Sequence, residues 1–247
     1  MYYKKVKGFL LLILVLTAQM AFGQSSGMVI YKSDGSMITL AISEIDSINF
    51  NACVDYDGNV YQTIKIGNQW WMAENLKVTH YRNGEVIPNV TDNTAWSNLT
   101  TGAYCEYDNN SANVETYGRM YNWYAVNDSR NIAPTGWHVP TDAEWQTLIN
   151  YLGGDVVAGG KMKETGITHW SSPNTGATNE SGFTALPGGY RDDNGLFYYL
   201  GYYAGFWSST EYNSSSAWTR RLYSSSAYVY RGNFSEQSGF SVRLVRD

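Results

Sequence analysis

Charged side chains are scarce in this sequence of 247 residues: they make up 16% of it, and the formal net charge at pH 7 is −5. A nucleic-acid-binding protein needs a basic face that contacts phosphates, so this composition argues against a nucleic-acid partner. It also argues against electrostatic binding to an anionic membrane. No long apolar run follows residue 23, so we predict no transmembrane span in the mature chain.

Histidine is also rare, with three residues in the whole chain. His80, His138 and His169 show neither HxxxH nor CxxC spacing, which argues against a zinc site. We interpret His138, in "GWHVP", as a structural side chain. The sequence also lacks a Gly-x-Ser-x-Gly elbow and a phosphate-binding loop. Because these motifs are missing, we expect no catalysis and no cofactor.

The sequence has only two cysteines, Cys53 and Cys105. In an oxidising compartment they could form one disulfide, and two free thiols are the alternative.

Calcium is the metal for which the sequence offers candidates, because calcium binds hard oxygen ligands carried by loops. The weak candidates are Asp55, Asp57 and Asn59 in "DYDGN", although this segment also reads as a simple turn. A second acidic loop, "CEYDNN", offers Glu106, Asp108 and Asn109.

The first residues resemble a targeting segment rather than part of a fold. A basic start, "MYYKKVKG", precedes the apolar run "FLLLILVLTAQMAF" and the small residues around Ala21 and Gly23. This pattern predicts a secretory signal peptide over 1–23, cleaved before Gln24, and an uncleaved anchor helix is the alternative. We therefore expect a secreted or cell-envelope protein, on the extracellular face or in the periplasm. No cysteine closely follows the run, so a lipid-anchored form is not expected.

Residues 24–53 form a predicted N-terminal β-hairpin appendage, and the main domain follows over 54–247. In the appendage, "MVIYKS" and "SMITLAI" flank Asp34-Gly35, a strong hairpin turn signal. Ser43 is placed to cap a single helical turn in "EIDSI".

The main domain alternates short strand and helix signals. It opens with a hairpin, "NVYQTIKIG" and "QWWMAENL". Met120, Trp123 and Tyr124 have the spacing of a short helix. The clearest helix follows Thr141, which forms a capping box with Glu144. Its apolar face comprises Trp145, Leu148, Ile149 and Leu152, and Gly153-Gly154 ends it. Short strands complete an α+β domain.

The stretch from Ala217 to Ser238 is rich in Tyr, Ser, Arg, Asn and Gly, the residues typical of antibody binding surfaces. "AWTRRLY" and "AYVYRG" alternate around an "SSS" loop and predict a hairpin. The apolar set that would face the core is Trp218, Leu222, Ala227 and Val229. The predicted ligand-binding residues are Thr219, Arg221, Tyr223, Ser225, Tyr228, Tyr230, Asn233 and Phe234. The alternative is a hydrated hairpin with no binding role, which only keeps the edge of a sheet soluble.

Many long segments occur here in the order found in a known family. They include "DYDGNVYQTIKIGNQWWMAENL", "YGRMYNWYAV", "PTGWHVPTDAEWQTLINYLGG", "HWSSPNTGATNESGFTALPGGYR", "FWSST" and "GFSVRLVRD". Residues 55–247 thus resemble the Fibrobacter succinogenes major paralogous domain. "VPTDAEWQTL" and "GFSVRLVRD" also resemble the formylglycine-generating-enzyme group. The segment at 28–50 is similar to one found in secreted Bacteroidetes proteins.

These resemblances imply a C-type-lectin-like fold of α+β class. Such a fold has two main helices, short antiparallel strands, paired N- and C-terminal strands, and long loops that form one surface. The family commonly has cysteines where this chain has Ala133 and Leu244, so apolar packing is expected there. Formylglycine-generating enzymes use a cysteine pair in the C-terminal half, and no cysteine follows Cys105. The calcium motifs of sugar-binding lectins are absent as well.

C-type-lectin-like proteins include the variable proteins of diversity-generating retroelements, which vary residues near the C-terminus between fixed scaffold positions. By resemblance, the scaffold would be Trp218, Leu222, Ala227, Val229 and Arg231. Our leading hypothesis is a secreted or surface-exposed, non-catalytic binding module for an extracellular protein or glycan. The alternatives are an enzyme distantly related to formylglycine-generating enzymes and a structural envelope or pilus-like component. The sequence leaves the ligand and the oligomeric state open.

Overall fold

The computed structural model describes residues 14–15, 27–31, 36–41 and 52–247. The chain divides into two compact units, residues 1–50 and residues 51–247. Strands β1 (Leu14–Val15), β2 (Gly27–Tyr31) and β3 (Met37–Ala41) form an antiparallel sheet in the first unit. β2 and β3 pair antiparallel at the position where the sequence predicts the hairpin. Its Asp34-Gly35 turn and the turn at Ser43 lie outside the described residues, as does the predicted signal peptide except Leu14–Val15.

The second unit joins its first hairpin to its last strand. β4 (Cys53–Val54) pairs with β5 (Val60–Tyr61). β6 (Thr63–Ile66) and β7 (Gln69–Met72) then form the predicted hairpin. The last strand, β16 (Val245–Arg246), lies between β7 and β10 (Trp137–His138). The expected pairing of N- and C-terminal strands of the domain is therefore present, with Val245 opposite Trp71.

The other strands form three small antiparallel sheets. β8 (Tyr104–Cys105) pairs with β9 (Met120–Tyr121), and β11 (Tyr190–Arg191) pairs with β12 (Phe197–Tyr198). The largest of these three sheets has the order β13 (Tyr203–Asn213), β14 (Ser216–Tyr223) and β15 (Tyr230–Ser235). We call it the C-terminal sheet.

Helices are short. They are α1 (Asn93–Ser97), α2 (Val114–Tyr117), α3 (Trp123–Val126), α4 (Asp142–Tyr151) and α5 (Asp155–Met162), with 3₁₀ turns at Tyr107–Asn109 and Ser111–Asn113. Helices mixed with small antiparallel sheets make this an α+β architecture. Within the described part of the chain, no helix is long and apolar enough to span a membrane.

The two main helices are only partly those that the sequence predicts. The capping box between Thr141 and Glu144 is present and begins α4. The second main helix is α5. The predicted short helix is correct for Trp123 and Tyr124, which begin α3, and wrong for Met120. Met120 belongs to strand β9, because the chain turns at Asn122, whose side chain accepts hydrogen bonds from the backbone N–H of Ala103 and Ala125.

Aromatic side chains fill the core on both faces of the C-terminal sheet. On one face, Trp145 packs 4.8 Å from Trp71 and 5.6 Å from Phe206, measured between ring centroids. On the other, Trp207 packs edge-on against Phe240 at 4.9 Å. Strand β13 is therefore covered on both sides, which explains its long apolar run.

Apolar packing surrounds the two positions, Ala133 and Leu244, where the resemblance led us to expect it. Ala133 and Leu244 are fully buried in one hydrophobic cluster, as expected from the missing cysteines.

The disulfide alternative for Cys53 and Cys105 is wrong: both are free, buried thiols. They belong to different hydrophobic clusters, Cys53 beside Tyr61 and Cys105 beside Trp96. Burial raises the pKa of each thiol to about 12, so both stay protonated at neutral pH.

His138 joins the start of α4 to the end of the chain. Its Nδ1 lies 2.6 Å from Asp247 Oδ1 and its Nε2 lies 2.8 Å from Glu144 Oε1. Burial alone lowers the pKa of His138, but the hydrogen bonds to Asp247 and Glu144 outweigh it and raise the pKa. Both contacts agree with the interpretation of His138 as structural.

We expect this link to make stability depend on pH. Because the folded pKa of His138 lies above the unfolded value, its stabilising effect is complete below the unfolded pKa of about 6.5. It is lost as the pH rises through the raised folded pKa. His138→Gln should therefore lower the melting temperature more at pH 6 than at pH 9, measured by differential scanning fluorimetry. An equal loss at both pH values would contradict this assignment.

Candidate functional site

The second strand of the C-terminal hairpin starts later than the sequence predicts. Strands β14 and β15 pair from Ser216 opposite Ser235 to Arg221 opposite Tyr230. The predicted second strand, "AYVYRG", is wrong in its bounds, since β15 begins at Tyr230. Residues 224–229 form a loop instead, which we call the C-terminal loop. Its backbone groups bond to helix α5 at Ala227 and Val229, and to Tyr202 and Thr175 at Ser224.

Helix α5 holds the C-terminal loop by backbone contacts. The N–H of Gly160 donates to the Ala227 carbonyl at 3.1 Å, and the N–H of Val229 donates to the Asp155 carbonyl at 2.8 Å. A Cβ at Gly159 would lie 2.7 Å from the Ala227 carbonyl oxygen, which is closer than packing allows. The Gly159-Gly160 pair therefore lets the loop lie directly on the helix.

A buried lysine adds a second anchor. Lys163 Nζ donates to the carbonyls of Tyr223, Ser226 and Thr175 at 2.8–3.0 Å. It lies 5.2 Å from the ring centre of Trp170. Lys163 is fully buried, so its ammonium binds the start of the loop from the interior of the domain.

Three tyrosines meet at the outer surface of this loop. The rings of Tyr223 and Tyr230 contact edge-on at 5.1 Å, and those of Tyr228 and Tyr230 lie 4.7 Å apart. We call these three residues the tyrosine ridge. Tyr230 is the most exposed, at 39%. The sequence predicted this group, and the structure brings its members together.

Two further predicted residues extend the ridge along the same face. The Arg221 guanidinium lies 5.4 Å from the ring centre of Phe234. Phe234 is half-buried and packs at 4.9 Å against Phe240 of the core. Ser225 is exposed in the loop.

Two predicted site residues are not part of this exposed surface: Thr219 shares the sheet face of Arg221 but is buried there, and Asn233 lies on the opposite face. Thr219 is fully buried, opposite Trp207 in the neighbouring strand, and its hydroxyl donates to the Gly232 carbonyl at 3.0 Å. Its only polar group is satisfied inside the sheet, so burial costs little. Asn233 is exposed but lies directly opposite Trp218, and directly paired residues share a face. Asn233 therefore points away from the tyrosine ridge.

Trp218 is only half-buried, so its prediction as a core residue is wrong. The Arg231 guanidinium lies 3.3 Å from its ring centre and also bonds Asp142 at 3.0 Å. Fully buried Arg220 donates to the same carboxylate at 2.7 Å. This face of the hairpin is thus fastened to the first turn of α4, whereas the opposite face, with Tyr223 and Phe234, packs partly against the core around Phe240.

Beside the ridge lies a groove of about 470 Å³. We call it the tyrosine groove. Its lining consists of Ser172, Pro173, Tyr199, Tyr202, Tyr203, Tyr223, Ser224 and Ser225. Tyr223 and Ser225 belong to the predicted site, and the other lining residues were missed. The segment "FYYLGYY", residues 197–203, could have indicated them, since four tyrosines in seven residues are more than a hydrophobic core usually contains.

The floor of the groove is polar but uncharged. Tyr203 is almost fully buried, and its hydroxyl has no hydrogen-bond partner among the described residues. Burial raises the pKa of Tyr203 well above that of a free phenol, so its hydroxyl stays protonated. Among the described lining residues, none is charged. The groove thus offers aromatic faces and hydroxyl groups, which suit binding.

The calcium candidates already bond protein donors. The Asp55 carboxylate accepts from Asn59 Nδ2 at 2.8 Å and from Tyr61 Oη at 2.5 Å. The Asp57 carboxylate accepts from Thr79 Oγ1 at 2.8 Å and lies 2.5 Å from His80 Nδ1. The described residues contain no group of three or more His, Cys, Asp or Glu side chains placed to hold a metal.

Comparison with known protein families identifies most of the second unit. A sequence model of the Fibrobacter succinogenes major domain matches residues 64–246, about three quarters of the chain. No curated protein and no solved structure matches it. The matched range contains helix α4, the tyrosine groove and the tyrosine ridge. The chain therefore belongs to the Fibrobacter succinogenes major domain family.

Proposed function

We propose that this protein is a non-catalytic binding module that recognises an extracellular protein or glycan through the tyrosine ridge and the tyrosine groove. The observation that carries this proposal is their continuity: Tyr223 belongs to both, so one surface holds five tyrosines above the buried Tyr203. Tyrosine gives a large contact area and has few rotatable bonds to immobilise. A surface of this composition favours binding over catalysis.

The ridge is also held in place before any ligand arrives. Helix α5 fixes the C-terminal loop through the backbone of Gly160 and Asp155, and Lys163, which directly follows the helix, fixes it through its ammonium. A preorganised surface loses less conformational entropy on binding. The anchoring therefore supports a recognition role for the tyrosine ridge, which the loop and the two strand ends beside it carry.

Fold and location extend the same proposal. We propose a C-type-lectin-like arrangement, supported by the pairing of β7 with the C-terminal β16. Secretion to the cell surface or envelope is supported by the signal-peptide pattern of residues 1–23. A diversified ridge on fixed supports such as Leu222 and Val229 would fit a retroelement variable protein. An adjacent reverse-transcriptase gene with an adenine-biased template repeat would support that extension.

Replacing the ridge should abolish recognition. For the triple variant Tyr223→Ala, Tyr228→Ala and Tyr230→Ala we expect about a 100-fold or greater loss of affinity, because interface tyrosines are frequent hot spots. Glycan and protein arrays identify the ligand, and titration calorimetry measures the loss.

Three exposed tyrosines outside the site provide the control. Tyr56→Ala, Tyr151→Ala and Tyr212→Ala together remove equal numbers of rings, and this variant should bind as the wild type does. Equal binding by the ridge variant would show that the face is wrongly assigned. Turnover of a thiol substrate would contradict the non-catalytic proposal.

A further inference from the structure

We infer that the tyrosine groove takes an extended, proline-rich segment of a partner protein. This inference rests on the proposed function and names the ligand class of the same surface. Proline-rich segments adopt the polyproline II helix, which exposes its carbonyls to solvent and has no internal hydrogen bonds. Such segments dock in aromatic-lined grooves.

The walls of the groove provide the aromatic surfaces that such a segment needs. Tyr199 and Tyr202 are 59% and 54% exposed, and Pro173 lies in the same lining. The ring of Tyr190 stacks 6.2 Å from Tyr199 and lies 5.2 Å from Tyr203, which supports the walls from behind. A volume of about 470 Å³ lies within the usual range for ligand sites.

The polar groups of the groove match the backbone of that segment. The lining carries the hydroxyls of four tyrosines and three serines, and all of these can donate hydrogen bonds. A proline-rich backbone has many carbonyl acceptors but few N–H donors. Tyr199 and Tyr202 are the exposed tyrosines among these donors, whereas the hydroxyl of Tyr203 is buried beneath the groove.

Charge and side-chain type favour this occupant over the others. Since no described lining residue is charged, the groove suits a neutral segment rather than an acidic or basic one. A sugar presents hydroxyls that both donate and accept, and it is well served by carboxylate and amide side chains. The described lining contains neither of these side chains. The observations therefore favour a neutral peptide over a neutral glycan.

The test uses the full chain and a fluorescein-labelled decaproline peptide, followed by fluorescence anisotropy. We expect saturable binding that Tyr199→Ala or Tyr202→Ala each weakens about tenfold. Tyr151→Ala is the matched control, because Tyr151 is equally exposed but lies on α4, and it should change nothing. The affinity should be nearly independent of salt, because no charged pair forms.

Three outcomes would overturn the inference. The first is no decaproline binding up to about 1 mM, a limit that corresponds to about −4 kcal/mol. The second is decaproline binding that neither Tyr199→Ala nor Tyr202→Ala weakens. The third is binding of cellohexaose or maltohexaose, instead of decaproline, that these two substitutions weaken. If the arrays find a ridge-dependent ligand without proline-rich sequence while decaproline fails, the proposed function stands and this inference is wrong.

Discussion

Arg243→Met is expected to destabilise the protein by about 3–5 kcal/mol, the largest effect that the structure predicts for a single substitution. Arg243 is almost fully buried and donates to four acceptors: Asn75 Oδ1 at 2.6 Å and the carbonyls of Met72, Phe183 and Thr184 at 2.7–3.0 Å. Burial lowers its pKa to about 9, so the guanidinium remains charged at neutral pH.

Methionine fills similar space but donates no hydrogen bond, so the four buried acceptors lose their partner. The segment that precedes β16 would then lose its side-chain ties to Met72 of strand β7 and to residues 183–184. For a chain of this size the melting temperature should fall by about 10 °C or more. Chemical denaturation and calorimetry measure the loss.

Lys65→Met is the matched control for Arg243→Met. Lys65 is an exposed cation on strand β6, and its replacement by the same residue should change stability by less than about 0.5 kcal/mol. Arg243→Lys should recover only part of the loss, because lysine lacks the planar fork of donors. Wild-type stability in Arg243→Met would show that the hydrogen bonds of Arg243 contribute nothing net.

Lys163→Met is expected to destabilise the protein by about 2–3 kcal/mol and to free the C-terminal loop. It leaves the carbonyls of Tyr223, Ser226 and Thr175 without their donor. Amide hydrogen exchange should accelerate across residues 224–229 more than across α4. Ligand affinity should fall as well, because the ridge loses its preorganisation. Uniform acceleration over the whole domain would contradict a local anchoring role.

The pH dependence of Lys163 gives a separate readout. Burial lowers the folded pKa of Lys163 to about 8, while the unfolded value is about 10.5. Between these values the unfolded chain binds more protons, so the unfolding free energy rises with pH. The stability difference between wild type and Lys163→Met should therefore grow between about pH 8 and pH 10. A difference that stays constant over this window would show that Lys163 is not titrating there.

Local patterns predicted the elements whose determinants are close in sequence. The capping box of Thr141 and Glu144 fixed the start of α4, because both partners lie within one helical turn. The β6–β7 hairpin followed from its alternation and turn. Helix α5 was missed, since Gly159 and Gly160 are poor helix formers on their own. Packing of the C-terminal loop against those glycines compensates for their low propensity.

By itself, the sequence determined the α+β class, the opening hairpin, the capped helix and the presence of a tyrosine-rich C-terminal surface. Alternation divided strand β14 into two faces, but only the tertiary structure decided how each is covered. Thr219 is buried because Trp207 lies opposite it. Trp218 is only half-buried because it packs against the Arg231 side chain at the surface and not against the core. The tyrosine groove joins segments that are far apart in the chain, so contacts between distant segments created it.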